Sequence, residues 1–140
     1  MNKLLHIIVL AIVITGFAFT QDTTINLKLI NASKNGNINE VARLLQQNVN
    51  INVKDNNGWT ALMWASFFGH TEVVKLLLVK SANVNIKNDK GETALMWASG
   101  NGRFEFVELL LSNGSDMNTK DNNGWTALIE ASNAGYTENC

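Results

Sequence analysis

Few side chains in this chain have types that could do chemistry. Its 140 residues hold two histidines, His6 and His70, and one thiol, Cys140. A nucleophilic hydrolase needs a base within reach of Ser or Cys. His70 is the only histidine outside the apolar N-terminal stretch, and its counterparts at 33-residue offsets are Asn37, Arg103 and Tyr136. That pattern predicts a helix-entry position rather than a general base. Glu72, Glu105 and Glu138 recur at the same offset. They suit the positive starts of helices and do not form a converging acid/base pair. Asp55-Asn56-Asn57-Gly58 resembles the opening of a calcium loop, but its Gly comes too early and no bidentate Glu follows at the required distance. A lone Cys excludes an intramolecular disulfide and a multi-Cys metal site, and leaves a cross-link between two copies through Cys140 as its one structural use. No Gly-rich phosphate loop stands in a strand-to-helix setting. The expectation is no catalytic, metal or cofactor-binding residue.

Composition narrows the class further. Lys and Arg number 11 against 12 Asp and Glu, a net charge of −1, which cannot supply the basic surface a nucleic-acid binder needs. With 46% hydrophobic and 16% charged residues, the chain can bury a sizeable core and is not a disordered tail. Pro is absent and Asn fills 21 positions, a bias that points to an AT-rich bacterial genome.

The first twenty residues differ from the rest. Lys3 gives a positive start, Ile7 to Ile14 are unbroken apolar, and the stretch softens through Thr15, Gly16, Phe17, Ala18, Phe19 and Thr20. This is the pattern of a secretory signal peptide, shorter than the roughly 20 apolar residues of a membrane span. Cleavage after Ala18 or after Thr20 fits the small residues, and it removes the membrane-directed segment. The expected destination is periplasmic or secreted.

The helices that must position everything else follow from a period. Lys54-Asp55-Asn56-Asn57-Gly58-Trp59-Thr60-Ala61-Leu62-Met63-Trp64-Ala65-Ser66 returns as Lys87 to Ser99 and again as Lys120 to Ser132, each time after 33 residues. A weaker copy upstream keeps Leu29, Ala32, Ser33, Gly36, Val41, Leu44 and Leu45. Within a unit, Asn57-Gly58 or Asn123-Gly124 makes a turn. Thr60, Thr93 and Thr126 stand as N-caps, and a first helix runs over about Ala61 to Phe68. Gly36, Gly69, Gly102 and Gly135 end the first helices in left-handed geometry. Second helices read over Glu72 to Leu78 and Glu105 to Leu111. Two short helices cannot bury their apolar faces alone and must stack on neighbours.

Gly-x-Thr-Ala-Leu-x-x-Ala-Ser, Gly-His-x-Glu-Val-Val-x-Leu-Leu-Leu and Ala-Asn-Val-Asn at this period closely resemble the ankyrin repeat, over about residues 22 to 140. The resemblance implies an all-α solenoid of stacked helix-turn-helix units with hairpin-like turns, and a protein-binding module without enzymatic activity. The units divide as signal 1–20, a degenerate N-terminal cap 22–54, repeats 55–87 and 88–120, and an incomplete unit 121–140. One departure is systematic: Thr-Ala-Leu-Met or Thr-Ala-Leu-Ile replaces the family's Thr-Pro-Leu-His, which implies less rigid turns. Because the last unit stops at Cys140, the surface around Val107, Leu110 and Leu111 is expected to be poorly covered, with the end frayed, truncated, or completed by a partner or a second copy.

Trp64 and Trp97 are expected to pack between repeats. Trp59 and Trp125 follow the turn Gly at the hairpin tips, while Phe67 and Phe68, with Gly100 and Asn101 one unit later, end the first helices near the concave surface. A tip Trp can also cover the next turn. The expected protein-binding residues are Asn56, Asn57, Trp59, Phe67, Phe68, Asp89, Lys90, Glu92, Asn101, Asn122, Asn123 and Trp125. An interaction scaffold is the principal expectation. A periplasmic stabiliser or regulator of a neighbouring enzyme or toxin, or a remnant of a longer array, are its alternatives.

Overall fold

Each unit begins with a capped turn. Thr60, Thr93 and Thr126 are extended and their hydroxyls accept the backbone N–H three residues on, at 3.3, 3.4 and 3.4 Å. Those caps start α3 (Ala61–Phe68), α5 (Ala94–Gly100) and α7 (Ala127–Asn133). The upstream unit has no such turn, and its first helix is the C-terminal end of a single long helix, α1 (Asn2–Lys34). Second helices are α2 (Ile38–Leu45), α4 (Thr71–Val79) and α6 (Phe104–Ser112). In this computed structural model the backbone is described for residues 2–136, and the side chains for those residues except 12–22. Glu138, Cys140 and the side chains flanking either cleavage position lie outside the described residues.

First helices form one layer, α1 against α3, α3 against α5 and α5 against α7; second helices form the other, α2 against α4 and α4 against α6. The core runs continuously between the layers through Leu29, Val41, Leu44, Leu62, Met63, Val74, Leu77, Leu95, Met96 and Leu110. Among the described residues there is no strand, only one isolated bridge between Lys54 and Thr60. Also among them, no helix is long and apolar enough to cross a membrane.

The four predicted cap glycines all have positive φ, and Gly69 is itself the left-handed C-cap of α3, its N–H bonded to the Ala65 carbonyl. Turn rigidity departs from expectation. Asp55 Oδ1 accepts the N–H groups of Asn57 and Trp59, both at 2.9 Å, and Asp121 Oδ1 does the same for Asn123 and Trp125 at 2.8 Å. Asn88 Oδ1 accepts from Lys90 and Glu92. An Asx side chain thus pins each turn in the absence of the family's His.

Asparagines also link one unit to the next: Asn52 Oδ1 accepts the Asn83 N–H and Asn85 Oδ1 that of Asp116, at 2.8 and 2.9 Å, while within the first unit Asn26 Oδ1 accepts that of Asn50 at 2.9 Å. The tips are tied as well: the Asp89 N–H donates to the Asn57 carbonyl and the Asn122 N–H to that of Lys90. His70 serves the same end. Its Nε2 lies 2.9 Å from the Lys34 carbonyl oxygen, so the imidazole bridges two units at the entry to α4.

The expected gap around Val107, Leu110 and Leu111 is only partly there. Leu110 is fully buried, on a helix that packs against α5 and α4, while Leu111 is exposed. The larger opening is on α7 and the preceding loop: Leu128 is 57% exposed, against 2% for its equivalents Leu62 and Leu95.

Candidate protein-binding face

Four positions recur where one first helix meets the next, and three grooves carry three different fillings. The first groove places Lys34 over the following unit's Trp64, its ammonium 4.3 Å from the ring centroid, a cation–π contact.

The second groove is aromatic throughout. Trp59 stacks on Trp64 at 4.4 Å between centroids and lies 4.8 Å from Trp97. Phe67 meets Trp97 edge-on at 5.2 Å, and Trp59 at 5.8 Å. Phe68 packs against Phe67 and Trp64 and is itself exposed. Trp64 Nε1 donates to Asp55 Oδ2 at 2.9 Å, so the turn that positions Trp59 also orients its partner ring. Trp59 and Phe67 are therefore half-buried members of an inter-unit cluster and not free-standing outward anchors.

The third groove has the same backbone and other contents. Glu92 stands at the position of Trp59, Gly100 at that of Phe67, and Glu130 at that of Trp97. A pocket of about 170 Å³ opens there, lined by Glu92, Met96, Trp97, Gly100, Asn101 and Glu130. A Cβ added to Gly100 would touch the Glu130 carboxylate at ordinary van der Waals distance, 3.6 Å. Burial, and then the negative charges of Asp121 and Glu92, hold the Glu130 carboxyl above the usual glutamate range. Among the described residues Glu130 has no ion pair. Trp97 Nε1 is buried without a hydrogen-bond partner. The reason is local: Asn88 stands where Asp55 does, its Oδ1 is taken by two backbone N–H groups, and its Nδ2 donates to Glu92 Oε2 at 2.7 Å.

Of the other expected contact residues, Asn56, Asn57, Asp89, Lys90, Asn122 and Asn123 are exposed in a row at the tips. Trp125 is 37% exposed. Asn101 is exposed beside the pocket, and Glu92 is half-buried in its wall. Sequence reasoning did not single out Glu130. Its signal was available in the column Trp64, Trp97, Glu130, where a carboxylate follows two indoles beside a column that falls from Phe67 to Gly100.

No group of His, Cys, Asp or Glu able to hold a metal occurs among the described residues. Two rows of short antiparallel helices, stacked at a 33-residue period with turns projecting from one edge, define an all-α repeat solenoid. A family model described as ankyrin repeats (3 copies) matches residues 16–88 and 80–140, and the chain belongs to that family. A search of curated proteins finds no match. Ankyrin repeats are non-enzymatic modules that mediate protein–protein interaction.

Proposed function

We propose that this protein binds another protein through its hairpin tips and the concave ends of its first helices. The observation that carries the reading is the row of exposed tip side chains on backbone that is bonded from turn to turn. A pre-organised surface of this kind loses little conformational freedom on binding, and its outward side chains are free of the core. Asn57→Arg, Lys90→Glu and Trp125→Ala combined should remove the partner recovered by the wild-type protein from the organism that makes it. Lys75→Glu, on the opposite side among the exposed α4 and α6 charges Glu72 and Glu105, should leave recovery unchanged. Equal loss with both variants sinks the assignment of this face.

Export completes the proposal. A bacterial protein with the N-terminal pattern of residues 1–20 is directed to the periplasm or the medium, and intact-mass measurement of the recovered protein tests it by showing a start at Phe19 or Gln21.

A further inference from the structure

We propose that the third groove is a socket for a lysine or arginine side chain of the protein partner. The inference rests on the partner-binding reading above and names the chemistry of one contact within it. Three observations converge.

The chain itself shows what an equivalent position accepts. Lys34, Phe67 and Gly100 occupy the same place in successive units. In the first groove the occupant is an ammonium over an indole ring; in the second it is a phenyl ring against indoles. In the third there is no side chain, and the space is a pocket of about 170 Å³.

The walls have changed with the occupant. Glu92 and Glu130 replace the two indoles that enclose Phe67, while Trp97 remains as the aromatic side. Two carboxylates and a ring around an open position suit a basic side chain, whose charge meets the carboxylates and whose methylene stem lies along the indole.

Among the described residues neither carboxylate forms an ion pair. Asn88 bonds one Glu92 oxygen. Lys34 lies in the first groove, and Lys54 and Lys87 are engaged with the carbonyls of Lys87 and Lys120. Crowding of Glu130 by Asp121 and Glu92 is consistent with a site relieved by an incoming positive charge. Asn101 at the rim leaves the entrance on the concave side, where the partner is placed by the proposed function.

The test uses the full chain with ¹⁵N-labelled tryptophan, the Trp97 indole resonance being assigned by Trp97→Phe. Acetylated, amidated pentapeptides Gly-Gly-X-Gly-Gly are titrated with X as Arg, Lys or norleucine. Arg and Lys peptides should move the Trp97 signal saturably, with roughly millimolar affinity as expected for one side chain, and the norleucine peptide should not. Glu130→Gln should weaken binding about fivefold. Gly100→Phe should abolish it by refilling the groove as Phe67 does. Should the Gly100→Phe spectrum show lost structure, Glu130→Gln decides alone. An equal response to norleucine, or unchanged affinity in Glu130→Gln, overturns the proposal. Tighter binding of spermidine than of the Arg peptide assigns the socket to free polyamines and overturns it too. If the peptides fail while the tip variant still loses the partner, the socket fails alone; if the tip variant keeps the partner, the wider reading fails.

Discussion

Asp55 and Asn88 hold equivalent turns and differ by one atom pair, and the consequence reaches a tryptophan nine residues on. Asp55 has a second oxygen for Trp64 Nε1, whereas Asn88 offers an amide there and Trp97 Nε1 goes without. Asp55→Asn should keep the turn, orphan the Trp64 indole and cost about 1–3 kcal/mol in urea denaturation. A change near zero would show that the indole finds another acceptor. Glu130 behaves oppositely. Its carboxyl titrates above the ordinary value of 4.5 in the folded chain, so between the two pKa values the folded state binds more protons than the unfolded one. Stability then falls as pH rises through that interval. Glu130→Gln should therefore stabilise the fold at pH 7, by less than about 1 kcal/mol in urea denaturation given solvent screening, and the gain should vanish once the pH is below 4.5. A gain that persists in acid points to packing instead of charge.

At the scale of elements, the first helices of the later units were legible. Thr60, Thr93 and Thr126 mark their starts, the glycines their ends, and both signals act within a few residues of the backbone they control. Groove contents were not. Whether Trp59 faces solvent depends on Trp97, a full unit away, and the vacancy at Gly100 becomes a pocket only because Glu130 stands across from it. The sequence predicts Trp59 and Phe67 as contact residues, with packing on the next turn as the other reading of the tip Trp; the half-burial of both belongs to the pair of units. The same distinction separates two glycines. Gly58 and Gly124 have nearly the same φ, +77° and +82°, yet a Cβ on Gly58 would meet the Asp89 backbone nitrogen at 2.7 Å and one on Gly124 meets nothing within 4 Å. Both Ala variants should lose about 1 kcal/mol from the left-handed backbone. Gly58→Ala should lose a further 1–3 kcal/mol, roughly as overpacking does elsewhere, measured by thermal melts side by side. Equal losses would mean that the tip ladder gives way freely.

Over the whole molecule, stability is passed from unit to unit. The chain's organisation was visible as soon as it was compared with itself at 33 residues, but the distribution of burial along the stack was not. Leu110 proved covered and Leu128 open, because each depends on which helix of the neighbouring unit reaches it. Leu128 and Ile129 are 57% and 42% exposed, whereas Leu95 and Met96 are 2% and 3%. Amide exchange in α7 should accordingly be at least about tenfold faster than in α5, and equal protection would contradict the graded stack. The three grooves have a mechanical consequence. Under tension between its two ends, a solenoid bears load through its inter-unit contacts in series, and the one with least in it yields first. By its filling, without a ring at Gly100 and with the Glu92 and Glu130 carboxylates near each other, the third groove is expected to be that link, even though α5 and α7 pack closely. A stretched molecule should release α7 in an early, separate step, while the junction closed by Trp59, Phe67 and Trp97 holds longer. A basic side chain seated beside Glu130 would act as a pin there, raising the force of the first rupture and leaving the second unchanged.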